Sequence, residues 1–485
     1  MKEFIRSLML VCLTISALIM TGAVFITESS EVVETPIEYD KKDLIKLIRP
    51  QNYVFSFGDL FIKIYDDTYE NIPLRDEYEA IFKGFIDAPL EKKLGTSDKD
   101  SWNEQIKRKS MRVDYPFDIP LKDLLELYYY NVETDSEEIH ISSVLFLLNR
   151  KDIIYIYDKQ ADKYYSLSGS EPTQWIDSLY ADVAAKKDEK KMEKDTYKPL
   201  EVRYALLQTG LREYNLQEEN LLLTPMASEI DFPKYNIVKE IGEGEPSSEK
   251  LERYASSIFD GDLSFVKKSV YSDNETIFIY GYGEKVFKVS GDGSLEYTVK
   301  VNENAPKEAI EFEAGLKKSL TQINKMGDPS STLYMSGYKQ VETTNAVETV
   351  YYFNYTKNGI PLYYSDMRDG HLIEVRFVNT ELVKAKKNIR IATSENLQDP
   401  HFKKNFPLIL IRNRIAFEIG YQNDRPLTTV AAKDIYQMCL QEMSSLETKY
   451  MIVGDELIPT WHIVIADTKY IINLINGELI KDSSN

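Results

Sequence analysis

Four histidines, His140, His371, His401 and His462, are the first side chains to weigh for chemistry in this chain of 485 residues. They form no HExxH or HxH pattern and have no cysteine at ligand spacing, so the donor set of a metal site is missing. His462 stands between Trp461 and Ile463 in an alternating run, which predicts a surface or boundary position on a strand rather than a ligand. A serine nucleophile is the next chemistry to test. Ser264 to Lys267 reads SFVK and Ser272-Asp273-Asn274 reads SDN, two elements of exported acyl-enzymes. They stand eight residues apart, whereas that mechanism needs them on separate elements, and neither KTG nor KSG follows. Ser247 to Lys250 is a second SxxK, the kind of match that abundant Ser and Lys supply by chance, and no GxSxG elbow occurs. Gly242-Glu243-Gly244 lies among acidic residues with no Walker lysine, so it would repel phosphate and reads as a turn into a helix starting at Ser248. The 34 tyrosines fall mostly at alternating strand positions, and sheet packing accounts for most of them without a sugar-stacking platform. The residues therefore predict no catalytic set, no cofactor, no metal and no enzyme.

Composition narrows the class further. Hydrophobic residues make up 43% and charged residues 28%, which excludes a mainly disordered chain and a polytopic membrane protein. Acidic residues outnumber basic ones by 78 to 59, and a net charge of −19 argues against a nucleic-acid partner. Cys12 and Cys439, the two cysteines, lie too far apart in context to pair, so no internal disulfide is expected and Cys439 reads as core packing.

The elements that must position any site follow from periodicity. Asp40 caps a short helix in KKDLIKLIRP, with Leu44, Ile45, Leu47 and Ile48 clustered before Pro50 ends it. QNYVFSFGDLFIKIYDD, KRKSMRVDYPF, EIHISSVLFLL, DIIYIYD and KYYSLS are rich in β-branched and aromatic residues and read as strands. A helix beginning near Thr173 runs into the charged stretch AAKKDEKKMEKD, and a boundary is placed near residue 198.

Beyond that boundary one pattern occurs twice: β-hairpin, helix, antiparallel strands. In the first copy Ser290-Gly291-Asp292-Gly293 joins two strands, and a helix with Pro306 in its first turn carries Ala309, Phe312, Leu316 and Ile323 on one stripe. Strands TLYMSGYKQVE, VETVYYFNYT, IPLYYSD and HLIEVRFV follow, with turns at Asn358-Gly359 and Asp369-Gly370. In the second, PLILI and RIAFEIGY flank Arg412-Asn413, Thr428 or Thr429 caps a helix with Ile435, Met438 and Cys439, and KYMIVGDE, TWHIVIAD and KYIINLINGELI follow.

Ser7 to Thr27 is free of charge for 21 residues, about 31 Å as a helix and enough to span a bilayer. Lys2 and Arg6 precede it and Glu28, Glu31, Glu34 and Glu38 follow, which predicts a cytoplasmic N-terminus and an extracytoplasmic body. A cleaved signal peptide, cut near Thr21 or Ala23, is the competing reading; the length of the apolar run favours an anchor. Thr14, Ala17 and Thr21 form a narrow stripe of small residues on the span, the candidate contact for another helix.

Several segments in order resemble the YycH (WalH) family. They are Pro50 with Tyr53-Val54-Phe55-Ser56-Phe57-Gly58, Val286-Phe287-Lys288-Val289 through Gly293-Ser294-Leu295-Glu296-Tyr297, and Leu457-Ile458-Pro459-Thr460-Trp461 with Tyr470-Ile471-Ile472-Asn473 and Asn476-Gly477. The resemblance implies an exported regulator of the two-component system that adjusts cell-wall metabolism in Gram-positive bacteria. Its implied partners are a sensor kinase similar to WalK and a sister protein similar to YycI (WalI).

The combined expectation is an α+β fold made of an N-terminal transmembrane helix and a three-domain extracytoplasmic body. Residues 1–6 form a cytoplasmic tail, 7–27 the span, 28–198 a stalk and first domain, and 199–385 and 386–485 two similar two-layer units. The expected function is regulation of a histidine kinase by helix and ectodomain contacts at the cell membrane, with an exported cell-envelope hydrolase or carbohydrate-binding protein as the alternative.

Overall fold

The computed structural model describes residues 39–58, 60–65, 71–87, 93–129, 139–168, 174–189, 201–205, 233–239, 248–271, 275–291, 293–302, 305–327, 332–364, 370–388, 390–397, 415, 435, 438–439, 442–465 and 468–480. Its first helix, α1 (Lys41–Leu47), begins at Asp40, whose side chain accepts from the Asp43 amide while Asp43 accepts from the Asp40 amide. This reciprocal cap satisfies two of the donors that a helix start leaves open. Leu44 and Leu47 are buried, as the apolar cluster requires.

The first sheet system has eight antiparallel strands: β1 (Asn52–Ser56), β2 (Leu60–Ile64), β3 (Lys93–Ser97), β4 (Ser110–Pro120), β5 (His140–Leu147), β6 (Arg150–Asp158), β7 (Lys163–Ser168) and β8 (Glu201–Ala205). They lie in the order β3-β7-β6-β5-β4-β1-β2-β8. Helices α2 (Leu74–Asp87), α3 (Lys99–Ile106), α4 (Leu121–Leu127) and α5 (Gln174–Glu189) accompany it. Tyr78 on α2 packs edge-on to Tyr53, Tyr115 and Phe146 and stacks on Phe82, and its hydroxyl lies 2.5 Å from that of Tyr115. These tyrosines fill a core, as their strand periodicity predicts, and the shared hydrogen bond offsets the cost of burying two hydroxyls.

The second system is a 15-stranded sheet that begins with β9 (Lys234–Lys239), which α6 (Ser248–Ile258) follows. A meander of β10 (Val266–Val270), β11 (Thr276–Tyr280), β12 (Lys285–Val289) and β13 (Ser294–Val299) leads to α7 (Phe312–Lys325). Then come β14 (Leu333–Glu342), β15 (Val347–Lys357), β16 (Ile360–Tyr363), β17 (Ile373–Val378), β18 (Glu381–Asn388) and β19 (Arg390–Leu397). β20 (Met443–Val453), β21 (Glu456–Ile465), β22 (Thr468–Asn473) and β23 (Leu479–Ile480) end the chain. β16 runs parallel to β20, and β9 pairs with both β19 and β21, so strands from both stretches expected as separate units, 199–385 and 386–485, lie in one sheet.

Helices α6 and α7 cover one face. Tyr351 on β15 donates its hydroxyl to the Phe312 carbonyl at 3.1 Å, and Lys387 on β18 donates to the Met326 and Gly327 carbonyls at the end of α7. Phe259, just after α6, stacks on Tyr280 and meets Tyr297 edge-on. The two sheet systems are joined through α1 and the residues after it. Arg49, 7% exposed, donates to the Thr332 carbonyl at 2.6 Å and the Thr356 hydroxyl at 3.1 Å, with its guanidinium 5.2 Å from the Tyr334 ring.

The structure corrects the expected fold class and location. No described helix is long and apolar enough to cross a membrane. The longest, α5, has 16 residues, reaches only about 24 Å and carries charges of both signs, short of the roughly 30 Å hydrocarbon thickness. In place of a transmembrane helix followed by a three-domain extracytoplasmic body, the described residues give an α+β fold with two sheet systems. The single-pass membrane placement is withdrawn with it. The run 7–27 that suggested the span lies outside the described residues.

Candidate contact surface on the long sheet

Strand register builds the main candidate site. On the face turned away from α6 and α7, one row crosses the sheet through Tyr352, Glu374, Lys386, Glu296, Lys288, Ile277 and Ser269, each opposite the next on the neighbouring strand. Its four central positions alternate in charge: Glu374, Lys386, Glu296, Lys288. The adjacent row carries Val350, Arg376, Lys384, Thr298, Val286 and Ile279. A period of two puts alternate residues of each strand on this face, so opposite charges meet across strands wherever the rows cross.

The ion pairs are well formed. Arg376 reaches Glu374 at 2.6 Å and Glu348 at 2.9 Å, Lys384 reaches Glu296 at 3.2 Å, and Lys288 reaches Glu275 at 2.5 Å. Burial works against the Arg376 charge, but hydrogen bonding to Glu374 and the fields of Glu374 and Glu348 outweigh it and raise its pKa. Half-exposed pairs of this kind contribute about 0–1 kcal/mol each. Cross-strand pairing itself favours opposite charges at facing positions, and the resulting rows give the face a fixed charge pattern of the kind that sets which partner a surface accepts.

A serine and a histidine meet at one end of this face. Ser336 sits at a β-bulge between Met335 and Gly337, is 6% exposed, and its hydroxyl lies 2.8 Å from His371 Nδ1. His371 stacks on Tyr352 at 4.6 Å between centroids. In a serine hydrolase the base faces the nucleophile through Nε2 and is oriented through Nδ1. Here Nδ1 itself takes the serine, and a buried hydroxyl gives a substrate no approach. The pair reads as a structural hydrogen bond at a bulge. Sequence reasoning did not bring these two residues together; a Ser-Gly inside an alternating run is the signal that marks a bulge.

A second polar cluster lies near the C-terminal end. His462 is 3% exposed, which corrects the expected surface or boundary position. Thr460 donates its hydroxyl to the Lys449 carbonyl at 2.8 Å and so accepts from His462 Nε2 at 3.1 Å, which fixes the proton on Nε2. Tyr363 meets the imidazole edge-on at 4.6 Å and accepts from Lys469 at 2.6 Å. Burial, with the Lys449 and Lys469 cations, holds the His462 pKa well below the ordinary histidine value. Across the strand pair, Glu447 lies opposite His462 and bonds Lys449 at 3.0 Å. The Lys449 charge overcomes the cost of burial and, with Lys63 and Lys159 of the first sheet system, pulls the Glu447 pKa down to about 2.

The other residues singled out from sequence fall as follows. The His140 amide donates to Asp158 at 3.0 Å, and its ring nitrogen lies 3.9 Å from the same carboxylate. Ser264 is exposed in a turn, its amide bonded to Asp262, while Lys267 is exposed on β10. Cys439 is a buried free thiol. No group of three or more metal-ligating side chains occurs among the described residues. His401, Ser272 to Asn274, Gly242 to Gly244, Arg412-Asn413 and Thr428-Thr429 lie outside the described residues, as do Thr14, Ala17 and Thr21.

No family model matches the chain, and no curated protein does. Among solved structures, the crystal structure of YycH from Bacillus subtilis is similar, with a TM-score of 0.51 at 12% identity over 92% of this chain and 100% of that chain. An uncharacterized protein from Eubacterium rectale gives a TM-score of 0.31 at 10% identity over 51% of this chain and 85% of that one. The first likeness gives this chain a distant, fold-level relationship to YycH. The expected kinase and sister-protein partners required a helix contact inside a bilayer. With no membrane-crossing helix among the described residues, those partners, the membrane itself and the regulatory role built on them are set aside.

Proposed function

We propose that this chain is a YycH-family protein that works by contact with another macromolecule and performs no chemistry of its own, using the sheet face opposite α6 and α7. The observation that carries the reading is the alternating row Glu374, Lys386, Glu296 and Lys288 across four neighbouring strands. Such a row presents a fixed charge pattern on a rigid sheet, which suits recognition of a complementary surface. The likeness to YycH along nearly the whole chain supports the family assignment. The Nδ1 geometry at Ser336 supports a structural rather than a nucleophilic role for that serine.

The test is quantitative affinity enrichment from cells that make the protein. Lys386→Glu is expected to lose a partner that the wild type retains, while Lys122→Glu, a reversal on α4 of the first sheet system, keeps it. Labelling of Ser336 by a fluorophosphonate probe, or unaided turnover of a substrate, would overturn the reading.

A further inference from the structure

β10 forms one end of the long sheet, and among the described residues it pairs only with β11. Hydrogen-bond alternation settles which of its backbone groups face outward. The Tyr271 amide donates to the Glu275 carbonyl at 2.9 Å, so Tyr271 and Glu275 form a hydrogen-bonded pair. Register then makes Ser269 with Ile277 and Lys267 with Ile279 the next such pairs. The even positions therefore turn their backbone groups outward. Val270 directs its N–H and C=O away from β11, and the Val266 amide is already bonded to the Leu263 carbonyl at 3.0 Å.

The side chains along this edge are unusual for a guarded one. Proteins blunt open edges with lysine, and Lys267 fits that role. Yet Phe265, Val270 and Tyr271 are 71%, 69% and 54% exposed, so apolar surface flanks the edge on both faces of the strand. Lys268 is drawn back over the sheet to Glu252 on α6 at 3.2 Å, which leaves the exposed Lys267 as the cation between Phe265 and Tyr271. In a chain with a net charge of −19, this is a local basic and aromatic edge.

We infer that β10 accepts an extended peptide segment of alternating acidic and aliphatic residues as an added antiparallel strand. Backbone bonds at Val270 supply part of the affinity, and an acidic side chain set against Lys267 supplies the selectivity. A strand bearing lysine at that position would meet a like charge. The row's charged positions lie on β12, β13, β17 and β18, two or more strands away from this edge, and occupancy of the edge does not depend on that reading.

The experiment measures anisotropy of two labelled heptapeptides with the full chain, one alternating valine with glutamate and the other valine with lysine. The glutamate peptide is expected to bind at least about tenfold more tightly, a difference of about 1.4 kcal/mol. Val270→Pro removes the outward amide while sparing the β10–β11 bonds at Lys267 and Ser269, and is expected to abolish binding. Lys267→Glu is a surface change that leaves the backbone intact, and it is expected to reverse the preference toward the lysine peptide. Lys386→Glu should leave peptide binding unchanged, so failure here and failure of the contact reading are told apart. Three results would each overturn the inference: neither peptide binding, an unchanged preference in Lys267→Glu, or a wild-type dimer that Val270→Pro dissolves.

Discussion

Gly315 on α7 lies directly against Tyr351 on β15: a methyl group added at Gly315 would come within 2.6 Å of the Tyr351 ring carbon Cζ and closer still to its hydroxyl. The absent side chain is what lets the helix approach the sheet and the hydroxyl bond the Phe312 carbonyl. Gly315→Ala should therefore destabilise the protein by about 2 kcal/mol, because overpacking outweighs the helix propensity that alanine adds. Urea unfolding measures it. Combining Gly315→Ala with Tyr351→Leu should cost less than the sum of the two single changes, since both act on one space.

Arg49 ties the first sheet system to β14 and β15 with two hydrogen bonds and a ring contact. Arg49→Ala leaves the Thr332 carbonyl without that donor and should cost about 1.5–3 kcal/mol, the range for hydrogen bonds from a charged group. Arg49→Lys keeps the charge but not the planar fork, and should recover less than half of the loss. Unfolding followed by fluorescence and by circular dichroism should coincide in the wild type and separate in Arg49→Ala.

The protein should lose stability on acidification in two windows. His462 is neutral in the fold because its pKa is depressed, while the unfolded chain takes up a proton near pH 6.5. Its contribution is complete above pH 6.5 and declines as the pH falls below that. Glu447, lowered from 4.5 to about 2, contributes above pH 4.5 and loses that contribution as the pH falls toward 2. Solvent screening makes the second effect the smaller, since about a third of the Glu447 side chain is exposed. Urea midpoints between pH 7.5 and 5.5 should fall in the wild type and flatten in His462→Gln.

Burial pushes the Cys439 thiol up to about 11, so it holds little thiolate at neutral pH. In a Cys12→Ser chain, a disulfide-exchange reagent at pH 8 should leave the folded protein unmodified over minutes. It should modify one thiol at once in denaturing urea.

Local signals carried much of the fold. The Asp40 cap, the Ser290 to Gly293 hairpin and the Asn358-Gly359 turn stand as their residue types predict, the last with φ of 52° and 75°. Of the expected stripe, Phe312, Leu316 and Ile323 are buried on α7, but the helix starts at Phe312 rather than near Pro306 and leaves Ala309 outside it, half-buried. A proline tolerated in a first turn does not require one there. Less legible were α2 and α4. The run LRDEYEAIFKGFID in α2 mixes aromatic residues with charges, and LKDLLEL in α4 is only seven residues long, so tertiary packing decides both. The charged row was invisible for another reason. Glu374, Lys386, Glu296 and Lys288 are scattered over about 100 residues, and register alone aligns them. His462 was misplaced because alternation marks two faces without saying that both are covered.

The pairing of β9 with β21 and of β16 with β20 bears on how a newly made chain reaches its native state. Both earlier strands leave the ribosome long before their partners exist to receive them, Glu456–Ile465 for β9 and Met443–Val453 for β16. Until translation ends, each presents an unsatisfied backbone edge to its neighbours in the cell. A truncated product ending before β20 would keep those edges for good, and chaperones or proteases would be its natural fate.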